Sequence, residues 1–182
     1  MGLLTFALNV TLDGCCDHRA GVPDDALLRY YTRLMDGVGG MLWGRVTYEL
    51  MESAWPAIAR DPKAPPAYRA WARKLDAKPK YVVSTTRRDF PWSNTFRVEG
   101  DLRQAIRKLK RRTPRGLLLG SPALGAALQQ LGLIDEYRLA VHPVLAGHGP
   151  TLFSGLPSSP PMKLVDTRRL PSGVMALHYR RK

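Results

Sequence analysis

The sequence contains little cysteine, and its cysteines show no arrangement that points to a metal or a disulfide. Its 182 residues include two cysteines, Cys15 and Cys16, which are adjacent. Neighbouring cysteines rarely form a disulfide with each other, and the chain has neither a Cys-x-x-Cys motif nor a Cys/His cluster. We therefore expect no disulfide framework and no metal site. This cysteine usage is typical of the reducing cytoplasm.

Two nucleotide-binding motifs and a membrane-spanning segment are also absent from the sequence. There is no G-x-G-x-x-G fingerprint of a standard dinucleotide site and no Walker A lysine. The longest uncharged stretch, residues 116–134, is interrupted by Gly120, Ser121, Pro122 and two glutamines. Such a stretch does not predict a transmembrane helix, so we expect no membrane partner.

Acidic residues are scarce relative to basic ones. Lysine and arginine number 28 against 15 aspartates and glutamates, which gives a formal net charge of +13. A basic surface attracts phosphates, nucleic acids or anionic membranes, but charge alone does not choose among them. The densest basic run consists of Arg107, Lys108, Lys110, Arg111, Arg112 and Arg115. Because no aromatic residue is interleaved with this run, we expect a solvated helix face, and a basic nucleic-acid-binding module stays an alternative.

Hydrophobic periodicity divides the chain into an alternating first part and a strand-rich last part. The pattern predicts strands over 3–10, 41–43, 80–84, 95–98 and 116–119, and helices over 24–38, 47–55, 101–112 and 122–131. A further helix follows a proline-rich loop over 56–66. Beyond Asp135, the alternating segments are 136–144, 162–170 and 174–181. This order predicts a single α/β domain over residues 1–182, whose sheet is mostly parallel and becomes antiparallel near the C-terminus.

Three strand-to-helix junctions carry the residues best suited to bind an anion. They are Gly44-Arg45-Val46-Thr47, Ser84-Thr85-Thr86-Arg87-Arg88 and Gly120-Ser121-Pro122. In an open α/β sheet such junctions lie at the carboxyl ends of the strands, where ligands bind. Helix N-termini offer free N–H groups, glycine admits a phosphate close to the backbone, and arginine adds a charge-assisted contact. Each junction alone is also consistent with ordinary turn and cap residues, so the pattern predicts an anion site without naming its ligand.

Four segments together resemble a known superfamily. They are NVTLDG at 9–14, GRVTYE at 44–49, KYVVST at 80–85 and LLLGSPALGAALQQLGLIDEYRLAVHPVLAGHGPTLF at 117–153. The set resembles the dihydrofolate reductase-like superfamily, and it is closer to the riboflavin-biosynthesis reductase domain branch than to dihydrofolate reductase itself. The resemblance implies a three-layer α/β fold with helices flanking a mostly parallel sheet. It also implies NADPH as the hydride donor and a homodimer.

The resemblance assigns cofactor-binding roles to the three junctions. The first junction is implied to grip the cofactor phosphates through Gly44, Arg45 and Thr47. The second is implied to flank the adenosine end and its 2′-phosphate through Ser84 and Thr85. The third is implied to cradle the diphosphate through Gly120, Ser121 and Leu124.

The resemblance also implies residues on the substrate side. Asp13 of the LDG motif is expected near the nicotinamide and the substrate, and it is the candidate catalytic residue. Gly147 and Gly149 are expected to line the pocket. Asp25 could anchor the substrate as the helical carboxylate of dihydrofolate reductase does, although a carboxylate that stabilises the helix dipole is the simpler interpretation. The proton would come from Asp13 or from ordered water.

The sequence therefore predicts an NADPH-dependent reductase that transfers a hydride to a small heterocyclic or sugar-imine substrate, similar to a riboflavin precursor or a pterin. Besides the nucleic-acid-binding alternative, a nucleotide-binding protein of this fold without turnover stays open. The chain departs from the riboflavin branch in one respect. His18 and Arg19 are the only basic residues near the LDG motif that could hold a ribose 5-phosphate.

Overall fold

A computed structural model describes residues 1–22, 24–155, 157 and 159–182 of the chain. Within these residues there are eight strands: β1 (Leu4–Thr11), β2 (Gly40–Gly44), β3 (Lys80–Val83), β4 (Thr95–Val98), β5 (Leu117–Leu119), β6 (Glu136–His142), β7 (Met162–Arg169) and β8 (Met175–Arg181). The same residues form five helices: α1 (Asp25–Gly37), α2 (Arg45–Arg60), α3 (Pro66–Ala77), α4 (Leu102–Arg112) and α5 (Pro122–Gln130). None of these helices combines the length and the apolar character that a bilayer crossing requires.

The eight strands join one sheet in the order β4-β3-β2-β5-β1-β6-β8-β7. The first six strands in this order pair in parallel. The last two pair antiparallel, and the register between β7 and β8 shifts between Leu164 and Asp166. The α/β class, with a mostly parallel sheet and antiparallel C-terminal strands, is confirmed.

Helices cover both faces of the sheet, which gives the three layers that the resemblance implies. Alternate side chains of a strand point to opposite faces, so each strand contributes to two separate clusters. One face packs against α4 and α5 in a cluster that includes Phe6, Leu119, Ile106 and Leu128. The other face packs against α1, α2 and α3 in a cluster that includes Trp43, Met35, Tyr48 and Trp71. The carboxyl ends of the parallel strands lie between these helical layers.

Helix α5 approaches the sheet closely because it carries a glycine where it crosses β1. A Cβ atom placed on Gly125 would overlap the ring of Phe6, which is fully buried. Any larger residue would push the helix away from β1, since a buried ring has no free space to move into. Gly125 thereby fixes the position of the α5 N-terminus relative to the strand ends.

Helix α2 is longer than the sequence predicts. It begins two residues earlier and continues through Pro56 to Arg60, where the proline-rich pattern predicted a loop. Proline lacks the N–H that bonds to the carbonyl four residues back, so it usually ends a helix. Packing against α3 offsets this loss. The indole of Trp55 stacks on Tyr68 with ring centroids 6.2 Å apart and meets Trp71 edge-to-face at 6.1 Å.

The substitution Gly125→Ala is expected to destabilise the protein by about 1–3 kcal/mol, because the added methyl group overlaps the buried ring of Phe6. Gly37→Ala, at the end of α1, is the matched control because nothing lies within 4 Å of its Cβ position. This control should be neutral or stabilise by up to about 1 kcal/mol. Urea unfolding followed by tryptophan fluorescence measures both free energies. Equal stabilities of the two variants would contradict the close packing of α5 on β1.

Candidate active site

The three predicted junctions lie side by side at one edge of the sheet. They follow β3, β2 and β5, which are consecutive neighbours. Gly44 is in register with Val83, and Leu42 is in register with Leu119, so the three strands end at nearly the same level. Because parallel strands share one direction, the turns that follow them meet at this edge.

The junction after β3 leads to an irregular connection with β4 and not to a helix, which corrects the sequence interpretation. The hydroxyl oxygen of Ser84 accepts hydrogen bonds from the backbone N–H groups of Thr86, at 3.3 Å, and Arg87, at 2.8 Å. Such a serine turn competes with helix formation because it gives the backbone donors another partner. Ser84 thereby shapes the turn, while Thr85 is exposed to solvent.

A buried serine joins the first junction to the third. The backbone N–H of Gly44 donates to Oγ of Ser121 over 2.9 Å, and Ser121 is 2% exposed. A Cβ atom on Gly44 would lie 3.6 Å from Cβ of Leu124, which is itself buried in the core. That distance is an ordinary van der Waals contact, so the Ser121 hydrogen bond and the packing of Leu124 position the two turns relative to each other.

Two uncapped helix N-termini result from this arrangement. Helices α2 and α5 begin after Gly44 and Ser121, and neither has a side-chain cap or an acidic residue in its first turn. By contrast, α1 and α4 are capped by the carboxylates of Asp24 and Asp101. The first N–H groups of α2 and α5, with the positive ends of their helix dipoles, form a surface that suits a phosphate.

Two arginines flank these N-termini, and each is paired with a glutamate of α2. Nη1 of Arg45 lies 2.9 Å from Glu49, and the Arg45 side chain is 44% exposed. Nη2 of Arg87 lies 2.8 Å from Glu52, and its guanidinium stacks over the ring of Tyr48 at 4.9 Å. An incoming phosphate would have to share Arg45 with Glu49. Sequence reasoning did not single out Arg87, because its contacts with α2 depend on the tertiary fold.

A cavity of about 430 Å³ opens beside the junctions, on the face of the sheet that α1, α2 and α3 cover. This volume is typical of small-molecule sites. Its wall includes two residues that the resemblance assigned to cofactor binding, Thr47 and Gly120. Its wall also includes residues that sequence reasoning did not assign, among them Asn9, Tyr31, Trp43 and Trp71. The available signal was Asn9, the one amide side chain in a first strand whose other residues are apolar or threonine.

Asp13 connects the loop after β1 to the loop at residues 146–149. Its carboxylate accepts hydrogen bonds from the hydroxyl of Thr11 and from the backbone N–H groups of Ala146, at 3.2 Å, and Gly147, at 2.8 Å. These bonds, that of Thr11 first, lower the pKa of Asp13 to about 2. At neutral pH Asp13 is therefore a carboxylate that accepts hydrogen bonds, and it has no proton to donate to a substrate.

The other predicted substrate residues, Gly147, Gly149 and Asp25, do not line the cavity. Gly147 and Gly149 adopt φ values of +67° and +89°, and a Cβ atom on Gly149 would lie 2.8 Å from Sγ of Cys15. Pro150, the residue that follows this loop, does line the cavity. Asp25 is exposed in the first turn of α1, and the wall residue that α1 contributes is Tyr31. The structure does not bring Asp25 to the cavity.

The basic run of α4 is only partly a surface feature. Lys110 is 3% exposed, and its ammonium donates to Asp135 over 2.6 Å and to the carbonyl of Leu133 over 3.2 Å. Its neighbours Arg107, Lys108, Arg111 and Arg112 are exposed. Lys110 therefore belongs to the interior, and the expected solvated face lacks this cation.

Comparison with known proteins places these features in a family context. The model of the RibD C-terminal domain family matches residues 3–176. The uncharacterised protein YyaP of Bacillus subtilis (strain 168) is 28% identical over an alignment of 176 residues, and the match covers 94% of this chain and 91% of that protein.

Two solved structures are similar in fold. One, described as a riboflavin biosynthesis protein from Shewanella sp. PV-4, has a TM-score of 0.77 and 22% identity, with 99% of both chains covered. The other is a diaminohydroxyphosphoribosylaminopyrimidine deaminase/5-amino-6-(5-phosphoribosylamino)uracil reductase from Thermotoga maritima. It has a TM-score of 0.66 and 18% identity, and the match covers 100% of this chain and 57% of that one. At these identities the similarity shows a shared fold.

Asp13 is expected to titrate at about 2, well below its ordinary value of 3.8. Because the folded-state pKa is depressed, the contribution of these contacts to stability is complete above the ordinary value and is lost as the pH falls through about 2. Carbon-13 NMR of the side-chain carboxyl groups measures the titration, and Asp13→Asn identifies the resonance. Thr11→Val removes the donating hydroxyl and should raise the pKa of Asp13. An unchanged pKa in that variant would contradict the assigned hydrogen bond.

Proposed function

The chain belongs to the RibD C-terminal domain family, and from this premise we propose that it is an NADPH-dependent reductase of a small heterocyclic or sugar-imine substrate. The family is that of reductase domains of the riboflavin-biosynthesis type. The observation that carries the proposal is the pair of uncapped helix N-termini after Gly44 and Ser121, held together beside a cavity.

The residues at this edge of the sheet fit a nucleotide that carries several phosphates. The first N–H groups of α2 and α5 would bind the diphosphate, and Gly44 and Gly120 would allow its close approach. Arg45 would contact a cofactor phosphate, and Ser84 and Thr85 would flank the 2′-phosphate. When bound, NADPH supplies a hydride to the carbon of a C=N or C=O bond.

Water is the proton source that the site favours. Because Asp13 is a carboxylate at neutral pH, its role is to hold the loop at residues 146–149 against the end of β1. The nitrogen or oxygen of the reduced bond therefore takes its proton from water that enters the cavity mouth. Asp13 would act by positioning this loop.

We also propose that the active protein is a cytoplasmic homodimer, as the resemblance implies. A groove of about 530 Å³ between α5 and the C-terminal strands supports this assembly, because it offers apolar side chains including Leu139, Met162 and Tyr179. Exposed apolar grooves of this kind often mark contacts between proteins.

Two other functions remain as alternatives. A nucleotide-binding protein without turnover would bind NADPH and show no substrate-dependent loss of absorbance at 340 nm. A nucleic-acid-binding module would use the exposed cations of α4, and its binding would fall steeply with salt concentration. The burial of Lys110 against Asp135 removes one cation from that surface and disfavours the second alternative.

Arg45→Ala is expected to weaken NADPH binding by about 10- to 100-fold, because a hydrogen bond to a charged group contributes about 1.5–3 kcal/mol. Glu49→Gln is the matched control, since it removes the carboxylate that shares the guanidinium and leaves Arg45 in place. This control should bind NADPH at least as tightly as the natural protein. Calorimetric titration measures all three affinities. Unchanged affinity in Arg45→Ala would contradict the assignment of this edge to the cofactor.

A further inference from the structure

We propose that the molecule reduced at this site is an uncharged, planar ring that carries a hydrogen-bond acceptor and no phosphate group. The inference rests on the proposed reductase function and names the substrate class of the same cavity. Three features of the cavity wall carry it: flat apolar side chains, a cation neutralised by its neighbour, and an amide that presents N–H donors.

Aromatic and thioether side chains form much of the cavity wall. They come from strand β2 and from helices α1, α2 and α3. They include Tyr31, Met41, Trp43, Met51 and Trp71. Trp43 and Trp71 are 2% and 7% exposed, so surrounding packing holds both indoles in place. Rigid aromatic surfaces favour a flat ring over a flexible or strongly hydrated group, because a flat ring buries its faces against them without desolvating charge.

The charges on the described part of this wall belong to one short loop. Nε and Nη2 of Arg19 donate to the two carboxylate oxygens of Asp17 over 3.1 and 2.8 Å. The backbone N–H of Arg19 donates to the same carboxylate over 2.9 Å, and His18 lies 3.6 Å from it. These bonds, that of the Arg19 side chain first, hold the pKa of Asp17 well below its usual range. The carboxylate therefore persists at neutral pH and occupies the guanidinium in a two-point contact.

Among the residues that the structure describes, this pairing leaves the wall outside the cofactor junctions without a free cation for a substrate phosphate. Together Asp17 and Arg19 carry no net charge, so a phosphate gains little attraction from the pair. A phosphate close enough to contact Arg19 would also approach the carboxylate of Asp17, and like charges repel. The other arginines described above, Arg45 and Arg87, pair with glutamates of α2 and are not part of this wall.

One uncharged polar group of the wall, the amide of Asn9, is held in a fixed orientation. The hydroxyl of Tyr31 donates to Oδ1 of Asn9 over 2.9 Å. This bond fixes the orientation of the amide, so its remaining group is Nδ2, which has N–H donors and no acceptor. A ring carbonyl or an unprotonated ring nitrogen is the partner that such a donor selects. A protonated ring would instead require a carboxylate, and the one on this wall, Asp17, is occupied by Arg19.

The chemistry of reduction agrees with an uncharged ring. A ring carbon receives a hydride from NADPH, which is oxidised to NADP⁺. The adjacent nitrogen or oxygen takes a proton from water, and the hydroxide that remains leaves to the solvent. A hydride and a proton together add no charge to the ring. A neutral substrate therefore yields a neutral product, so the apolar wall holds an uncharged ring both before and after the reduction.

A matched pair of ligands tests the absence of a phosphate site. Inosine presents a flat two-ring base with a carbonyl, and inosine 5′-monophosphate differs from it by one phosphate. Both are titrated into protein saturated with NADP⁺, which occupies the cofactor edge, and dissociation constants are measured by saturation-transfer NMR. We expect the phosphorylated ligand to bind about three- to tenfold more weakly than inosine, a difference of about 0.7–1.4 kcal/mol.

A variant that releases Arg19 from Asp17 tests whether this ion pair causes the preference for inosine. Asp17→Asn keeps an oxygen for the backbone N–H of Arg19 but removes the negative charge, so it should tighten binding of the phosphorylated ligand about tenfold and leave inosine unchanged. The double variant Asp17→Asn/Arg19→Gln should lose this gain. The melting temperature and the NADP⁺ affinity of each variant show that the fold and the cofactor edge are intact.

The Asn9 amide is tested separately. Asn9→Asp retains an acceptor for the Tyr31 hydroxyl and replaces the N–H donors with an oxygen. It should weaken binding of both ligands about tenfold without changing NADP⁺ affinity, because a carbonyl would face a carboxylate.

The outcomes separate this inference from the reductase proposal. Preference for inosine, with a gain for the phosphorylated ligand in Asp17→Asn, supports the inference. Preference of the natural protein for the phosphorylated ligand overturns it, and so does the absence of binding by either ligand when NADP⁺ binds. A protein that fails to bind NADP⁺ overturns the proposed function first, and the inference with it.

Discussion

The candidate site depends on one buried hydrogen bond, in which the hydroxyl of Ser121 accepts the N–H of Gly44. It joins the last residue of β2 to the residue that precedes α5, so the starts of two helices are held at a fixed spacing. One helix N-terminus attracts an anion weakly, whereas two held side by side present N–H groups from two directions. Gly125 supports the same spacing, because it lets α5 lie directly against the ring of Phe6.

Much of the fold is predictable because its signals are local. Hydrophobic periodicity and glycine at the strand ends give the alternation of elements, and parallel pairing then brings the three junctions to one edge. The segments where the structure departs from this prediction also have physical causes. Pro56 carries a strong local signal to end a helix, but packing of Trp55 against α3 outweighs it. Ser84 accepts backbone N–H groups, and a turn replaces the helix that the junction predicted.

The site is less predictable than the fold, because the roles of charged groups depend on their partners. Thr47 and Gly120 line the cavity as expected, but its wall also contains Asn9 and Tyr31, whose contact brings together β1 and α1. The net charge of +13 likewise does not show which of the cationic side chains lie on the surface. The ammonium of Lys80, for example, is fully buried and donates to three backbone carbonyls near the end of α3. Sequence shows that a lysine is present, and only the fold shows that it holds a helix end.

The shift of register in β7 has a consequence for how the molecule behaves in a crowded solution. An outer strand offers unpaired backbone groups that can template the addition of foreign strands, and Leu164 and Val165, 49% and 43% exposed, would add apolar attraction. The irregular pairing at this point disturbs the flat strand edge that pairing with another strand requires. Lys163, Arg168 and Arg169 outnumber Asp166 along β7, so two copies of this strand repel each other. Both the irregular shape of β7 and its positive charge thus oppose fibre growth through this strand. The charge repulsion weakens as the salt concentration rises, because salt screens it.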